Sequence, residues 1–163
     1  MLCKIDNYLK TVYRFSGYFA AFFLILVATF ILTGIASRMF GFYIRGLAEY
    51  SGYSMAASSF LALAYTFWEK GHIRITLFLE RSKKNIRRIL ELWCLFVASF
   101  FSCYLSYYFI KMLIISIKFG ERSEGADEIL IWIPQLSVAI GSTIFFICVF
   151  HNFILSILKK SET

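Results

Sequence analysis

Charged residues are missing from four long stretches of the chain, at 15–37, 50–68, 92–110 and 129–158, and crowd into the segments between them. Each stretch is long enough to cross a hydrocarbon core of about 30 Å as a helix rising about 1.5 Å per residue. Lipid offers no partners for backbone N–H and C=O groups, so such runs must satisfy them inside helices. The pattern predicts an all-α integral membrane protein with four transmembrane helices, forming one domain over residues 1–163. The third helix is predicted to continue to about residue 117, because Leu113, Ile114, Ile115 and Ile117 keep it apolar, and Gly120 is its natural stop. The predicted spans are therefore 15–37, 50–68, 92–117 and 129–158, the last longer than one crossing requires.

Composition supports this reading. Sixty per cent of the residues are apolar, 20% are aromatic and there is one proline, more apolar surface than a soluble domain of this size hides in one core. The formal charge of +7 lies between the runs rather than on an independent domain, which points to lipid headgroups and topology and away from nucleic acid. Counting Lys and Arg gives twelve in the N-terminus, the segment between spans two and three, and the C-terminus, against five on the opposite side. The positive-inside rule then places both termini in the cytoplasm. The first run is too long for a typical signal-peptide core and reads as a retained signal-anchor. Trp68, Trp93, Trp132, Tyr50 and Tyr53 fall at run boundaries, as an aromatic belt requires. Between spans two and three, alternation of apolar residues with Arg74 and Thr76 and a basic run after them predict a short interfacial segment.

Small residues recur at helical spacing within the runs. Ser54, Ser58 and Ala62 share a face that continues to Tyr65 and Glu69; Ser99, Ser102, Cys103 and Ser106 mark span three; Ser137, Gly141 and Cys148 follow Pro134 in span four. Such stripes let helices approach closely in lipid. Candidate chemistry is sparse. No Asp, Glu, Lys or Arg lies within a run, His151 sits toward one end of the fourth, and the four cysteines have no ligand spacing. The two histidines do not suit a haem site, and neither a Ser–His–Asp set nor a phosphate loop is present. No enzymatic activity and no cofactor are therefore assigned. A clean set of helices suits an accessory subunit better than a carrier, which needs intramembrane polar groups or broken helices.

The segment Glu69–Lys70–Gly71–His72–Ile73–Arg74–Ile75–Thr76–Leu77–Phe78 resembles a signature of alternating hydrophobic residues after Gly-His in one family. Ile86–Arg87–Arg88, the turn from Gly120 to Ser123, Ile133–Pro134–Gln135 and Gly141 are similar in order and spacing. That family is the small membrane subunit of tripartite ATP-independent periplasmic (TRAP) transporters. Thr76 departs from it, standing where the family commonly has Asp. The resemblance implies a non-catalytic subunit in a bacterial inner membrane that braces a large multi-span subunit. Sodium and substrate sites would lie in that partner, and a periplasmic substrate-binding protein would deliver an organic acid such as a dicarboxylate, sugar acid or sialic acid. Glu69, Gly71, His72 and Arg74 are then candidates for a structural clasp at the cytoplasmic interface, with Pro134, Gln135 and Gly141 as further interface or structural positions; a plain basic topology loop explains the first group's charges equally. Arg38, Arg45, Lys118 and Arg122 are candidates for docking the binding protein, with snorkelling to headgroups the competing account. Two other functions stay open from the residues alone: a self-contained small transporter or channel, and a membrane anchor for a redox enzyme.

Overall fold

The computed structural model describes residues 2–69, 84–125 and 128–158. They form four helices, α1 (Leu2–Met39), α2 (Leu47–Trp68), α3 (Lys84–Phe119) and α4 (Trp132–Leu158). Helices α1 and α3 outrun the charge-free stretches and carry their basic residues on helical ends. Both stop at a glycine in the left-handed region, Gly41 (φ 78°) and Gly120 (φ 61°). At α1, Phe42 N–H donates to Ser37 O and Gly41 N–H to Arg38 O; at α3, Glu121 N–H donates to Ser116 O and Gly120 N–H to Ile117 O. These are Schellman closures, which satisfy the last carbonyls of a helix. Helix α4 starts at Trp132 rather than at 129 because 129–131 are drawn into a loop, where Leu130 bridges to Arg122 and Ser123 N–H donates to Ile129 O at 2.7 Å. Pro134 then falls in the first turn of α4, where a missing N–H costs nothing.

The helices lie in a row rather than a closed bundle. Helix α1 packs along α2, α2 along α4 and α4 along α3, while α1 meets α4 only lightly. At the first seam, Ser16 Oγ donates to Leu61 O at 2.5 Å and Ser58 Oγ donates back to Ala20 O at 2.9 Å. Nearby, the Tyr65 ring fills the place where Gly17 lacks a Cβ. Helix α2 thus runs antiparallel beside α1 from the Phe30–Tyr50 ring pair to Arg14 over Trp68. Helices α2 and α4 run parallel, with Gly141 against the backbone of Phe60 and Leu61. Ser106 and Thr143 share a 3.0 Å hydrogen bond between α3 and α4.

Most of what is buried is small, with the ring of Tyr13 as the large exception. The covered positions include Tyr13, Ser16, Ala20 and Ser37 on α1, Ser54, Ala57, Ser58, Leu61 and Ala64 on α2, Ser99, Ser102, Ser106 and Ser116 on α3, and Ala139, Gly141, Ser142, Cys148 and Val149 on α4. Tyr13 packs with Ala64 and Cys148. The large side chains Phe22, Ile25, Leu32, Phe100 and Tyr104 point outward. This inversion suits lipid, where close packing rather than apolar burial holds helices together. Three stripe members move. Cys103 is exposed, because α3 turns a single narrow seam to α4, and on α2 Leu61 and Ala64 replace Ala62 and Tyr65 because that helix faces neighbours on two sides. We expect Ser16→Ala and Ser58→Ala each to cost about 0.6 kcal/mol, read as a lower unfolding midpoint in a detergent titration.

Helices α1, α3 and α4 are long and apolar enough to cross a membrane, over Tyr8–Met39, Arg88–Phe119 and Trp132–Leu158. Helix α2 has 22 residues, but its hydroxyl-bearing residues, from Tyr50 and Ser51 to Tyr65 and Thr66, lower its hydropathy. It is the helix packed between α1 and α4.

Candidate functional site

Among the described residues, polar groups collect at the two ends of the row. The loop end holds the α1–α2 turn and the α3–α4 loop. The terminal end holds the start of α1, the end of α2, the start of α3 and the end of α4.

At the loop end, Arg38 lies in the last turn of α1 and Arg45 just before Gly46, whose left-handed φ of 76° opens α2. Both are exposed. A recess of about 230 Å³ between α1 and α2 is lined by Arg38, Ser37 and Tyr43 together with apolar residues such as Ile31 and Leu47. Lys118 is exposed in the last turn of α3. Arg122 pairs with Glu128 at 3.7 Å, both largely exposed, an arrangement that contributes little stability. The structure therefore splits the four basic candidates. Arg38 and Arg45 belong to the α1 edge of the row, and Lys118 and Arg122 follow α3 at the other edge.

The α3–α4 loop is pinned to α2 by contacts that the sequence reading did not pair: Tyr53 entered it only as a belt aromatic and Ser123 only as the end of a turn. Tyr53 and Ser123 share a 2.7 Å hydrogen bond, and Gly125 N–H donates to Ser123 Oγ at 3.2 Å. The Glu49 carboxylate occupies the space that a Cβ on Gly125 would take. Ser116 Oγ donates to Glu121 Oε2 at 2.8 Å and ties the loop's start to α3. One signal was available: residues 121–128 carry four acids against one arginine. With Glu49, they balance the five cations of the loop end, whereas the terminal end keeps twelve cations against five acids. We expect Gly125→Ala to displace the Glu49 carboxylate and Tyr53→Phe to remove the hydroxyl bridge. Either change should speed trypsin cleavage after Arg122 under native conditions, with the helices intact by circular dichroism.

Gln135 donates its N–H to Ile131 O at 3.3 Å. Its side-chain Oε1 is buried without a hydrogen-bond partner among the described residues. Gly141 is not at an outer interface but at the centre of the row, between α2 and α4. At the terminal end, Glu69 caps α2, its N–H donating to Tyr65 O at 2.9 Å, and its side chain shares a recess with Arg14 and Tyr18. Gly71, His72 and Arg74, together with the predicted interfacial segment, lie outside the described residues.

A family model described as "Tripartite ATP-independent periplasmic transporters, DctQ component" matches residues 26–159. Comparison with curated proteins gives no match.

Proposed function

The chain belongs to the family of the DctQ component of tripartite ATP-independent periplasmic transporters, and from that premise we propose that it is the small, non-catalytic membrane subunit of a sodium-driven TRAP transporter for organic acids. In this reading it braces a large multi-span subunit, which carries the sodium ions and the substrate, and it helps dock a periplasmic substrate-binding protein. The observation that carries the proposal is the open row. The outer helices α1 and α3 each pack fully on one neighbour only, and their other faces carry large apolar side chains suited to lipid or to a larger membrane partner. Among the described residues such a row encloses no pathway of its own, and no Asp, Glu, Lys or Arg lies within the four runs.

Helix α2 serves as the fourth span in this proposal. Its 22 residues reach about 33 Å, and its pairings with α1 follow that span from Phe30 to Arg14. Its low hydropathy fits a helix that faces helices rather than lipid. With four spans, the twelve cations of the terminal end fall on the cytoplasmic side of a bacterial inner membrane. Gly71, His72 and Arg74, with Glu69, keep their proposed role as a clasp at that interface.

The test is copurification followed by reconstitution. A large membrane protein should accompany the chain in mild detergent, and sodium-dependent uptake of an organic acid in proteoliposomes should require both chains and the binding protein. Flux from this chain alone would replace the scaffold reading with that of a self-contained transporter. A periplasm-active reporter fused after Thr163 should stay silent, and a strong signal there would reverse the orientation.

A further inference from the structure

A recess of about 420 Å³ opens between α1 and α2 at the terminal end, lined by Arg14, Gly17, Tyr18, Ala21, Tyr65 and Glu69. Four of these six residues precede the region that the family model matches. Positions 14, 18, 21 and 25 form one stripe of α1 at helical spacing. Along it the chemistry grades from a guanidinium, through a tyrosine ring, to Ala21 and the outward-facing Ile25. The opposite wall is α2, where Tyr65 packs into the place of the missing Gly17 Cβ and Glu69 stands at the helix end.

The two charges come from different elements, Arg14 from α1 and Glu69 from the C-cap of α2. The Arg14 guanidinium lies 5.8 Å from the centre of the Trp68 ring, a cation–π contact that fixes its position. The backbone of Glu69 is held by its N–H donating to Tyr65 O, and its side chain lines the recess. Trp68 marks headgroup depth, where tryptophan collects. The recess therefore presents one cation and one anion at the membrane surface, next to an exposed apolar stretch of α1 at Ala21 and Ile25.

We infer that this recess binds a phospholipid whose headgroup carries both a phosphate and a primary ammonium, as in phosphatidylethanolamine. Arg14 takes the phosphate in a charge-assisted hydrogen bond, Glu69 takes the ammonium, and the acyl chains lie against Ala21 and Ile25. A glycerol headgroup leaves Glu69 without a cation, and a choline headgroup has no N–H to donate. The inference rests on the membrane placement proposed above, which the reporter and uptake assays test independently.

The test uses the full chain in its copurified assembly, stripped of lipid and exposed to equimolar phosphatidylethanolamine, phosphatidylcholine and phosphatidylglycerol with identical acyl chains. Native mass spectrometry should find the ethanolamine lipid retained roughly tenfold over the other two, the low end of one hydrogen bond to a charged group. Glu69→Gln should bring it down to the level of the choline lipid, and Arg14→Gln should lower retention of all three. Ala21→Phe, on an exposed face, should exclude the lipid while leaving both charges in place. Equal retention of the three lipids by the unaltered chain overturns the inference, as does a preference that survives both charge substitutions. Soluble glycerophosphoethanolamine in excess should leave the lipid bound; displacement by it would reassign the recess to a free phosphate ester.

Discussion

Gly141→Leu is expected to split the helix row into two pairs. A Cβ at position 141 lies 2.7 Å from the carbonyl carbon of Phe60, 2.8 Å from its oxygen and 2.9 Å from the nitrogen of Leu61. These are backbone atoms of α2, so no side chain can turn away to make room, and α2 and α4 must separate. Overpacking of this kind costs about 1–3 kcal/mol even for one added carbon, and leucine adds a branched side chain beyond it. The seam matters because it is the principal junction between the α1–α2 pair and the α3–α4 pair. Losing it also opens the contact of Cys148 Sγ with Ala64 O and the Phe67–Phe145 ring pair. We expect Gly141→Ala to lower the unfolding midpoint measurably and Gly141→Leu to abolish recovery of a monodisperse chain. Gly52→Ala is the control, since a Cβ there meets nothing within 4 Å and alanine is the better helix former. Equal tolerance of Gly52→Ala and Gly141→Leu would mean that the two helices do not touch at this point.

Much of this architecture can be read from the residues, and what cannot has physical reasons. The helices follow from the exclusion of charge, and the stop at Gly120 follows from its freedom to adopt a left-handed turn. Ser99, Ser102 and Ser106 lie at spacings of three and four, so their shared face is legible, whereas Cys103, adjacent to Ser102, is rotated away from it. Neighbour order is harder, because periodicity says which face of a helix is small but not what it meets. The order α1–α2–α4–α3 is hinted at only by the hydroxyl content of α2, which lowers its hydropathy and suits a helix flanked on two sides. Gly141 stands out in sequence as a small residue, but its contact with Phe60 needs the tertiary register. The loop pin was least legible. Glu49 and Gly125 are far apart in sequence, and their apposition depends on α2 lying beside the α3–α4 loop.

The same apposition separates the candidate docking cations by expected effect. The paired substitutions Arg38→Glu and Arg45→Glu should raise the concentration of loaded binding protein that gives half-maximal uptake by about tenfold, with the maximal rate kept, because exposed rim charges act chiefly on encounter. Both arginines flank a turn fixed by the closure at Gly41 and the left-handed Gly46. Within that loop they have no acid beside them in sequence, and Glu49, the nearest, is turned to Gly125. Arg122 differs: it pairs with Glu128 in a loop that also carries Glu121 and Glu124, so its field is largely cancelled. Lys118→Glu with Arg122→Glu should therefore shift half-saturation by less than about threefold, the reach of a screened, compensated surface charge. The larger effect should shrink as salt rises, because a Debye length of about 8 Å at physiological ionic strength screens such steering. Uptake into proteoliposomes, titrated with binding protein at two ionic strengths, reads both quantities. Equal shifts from the two pairs, or a shift indifferent to salt, would remove the α1–α2 turn as the docking edge and leave its arginines as headgroup anchors.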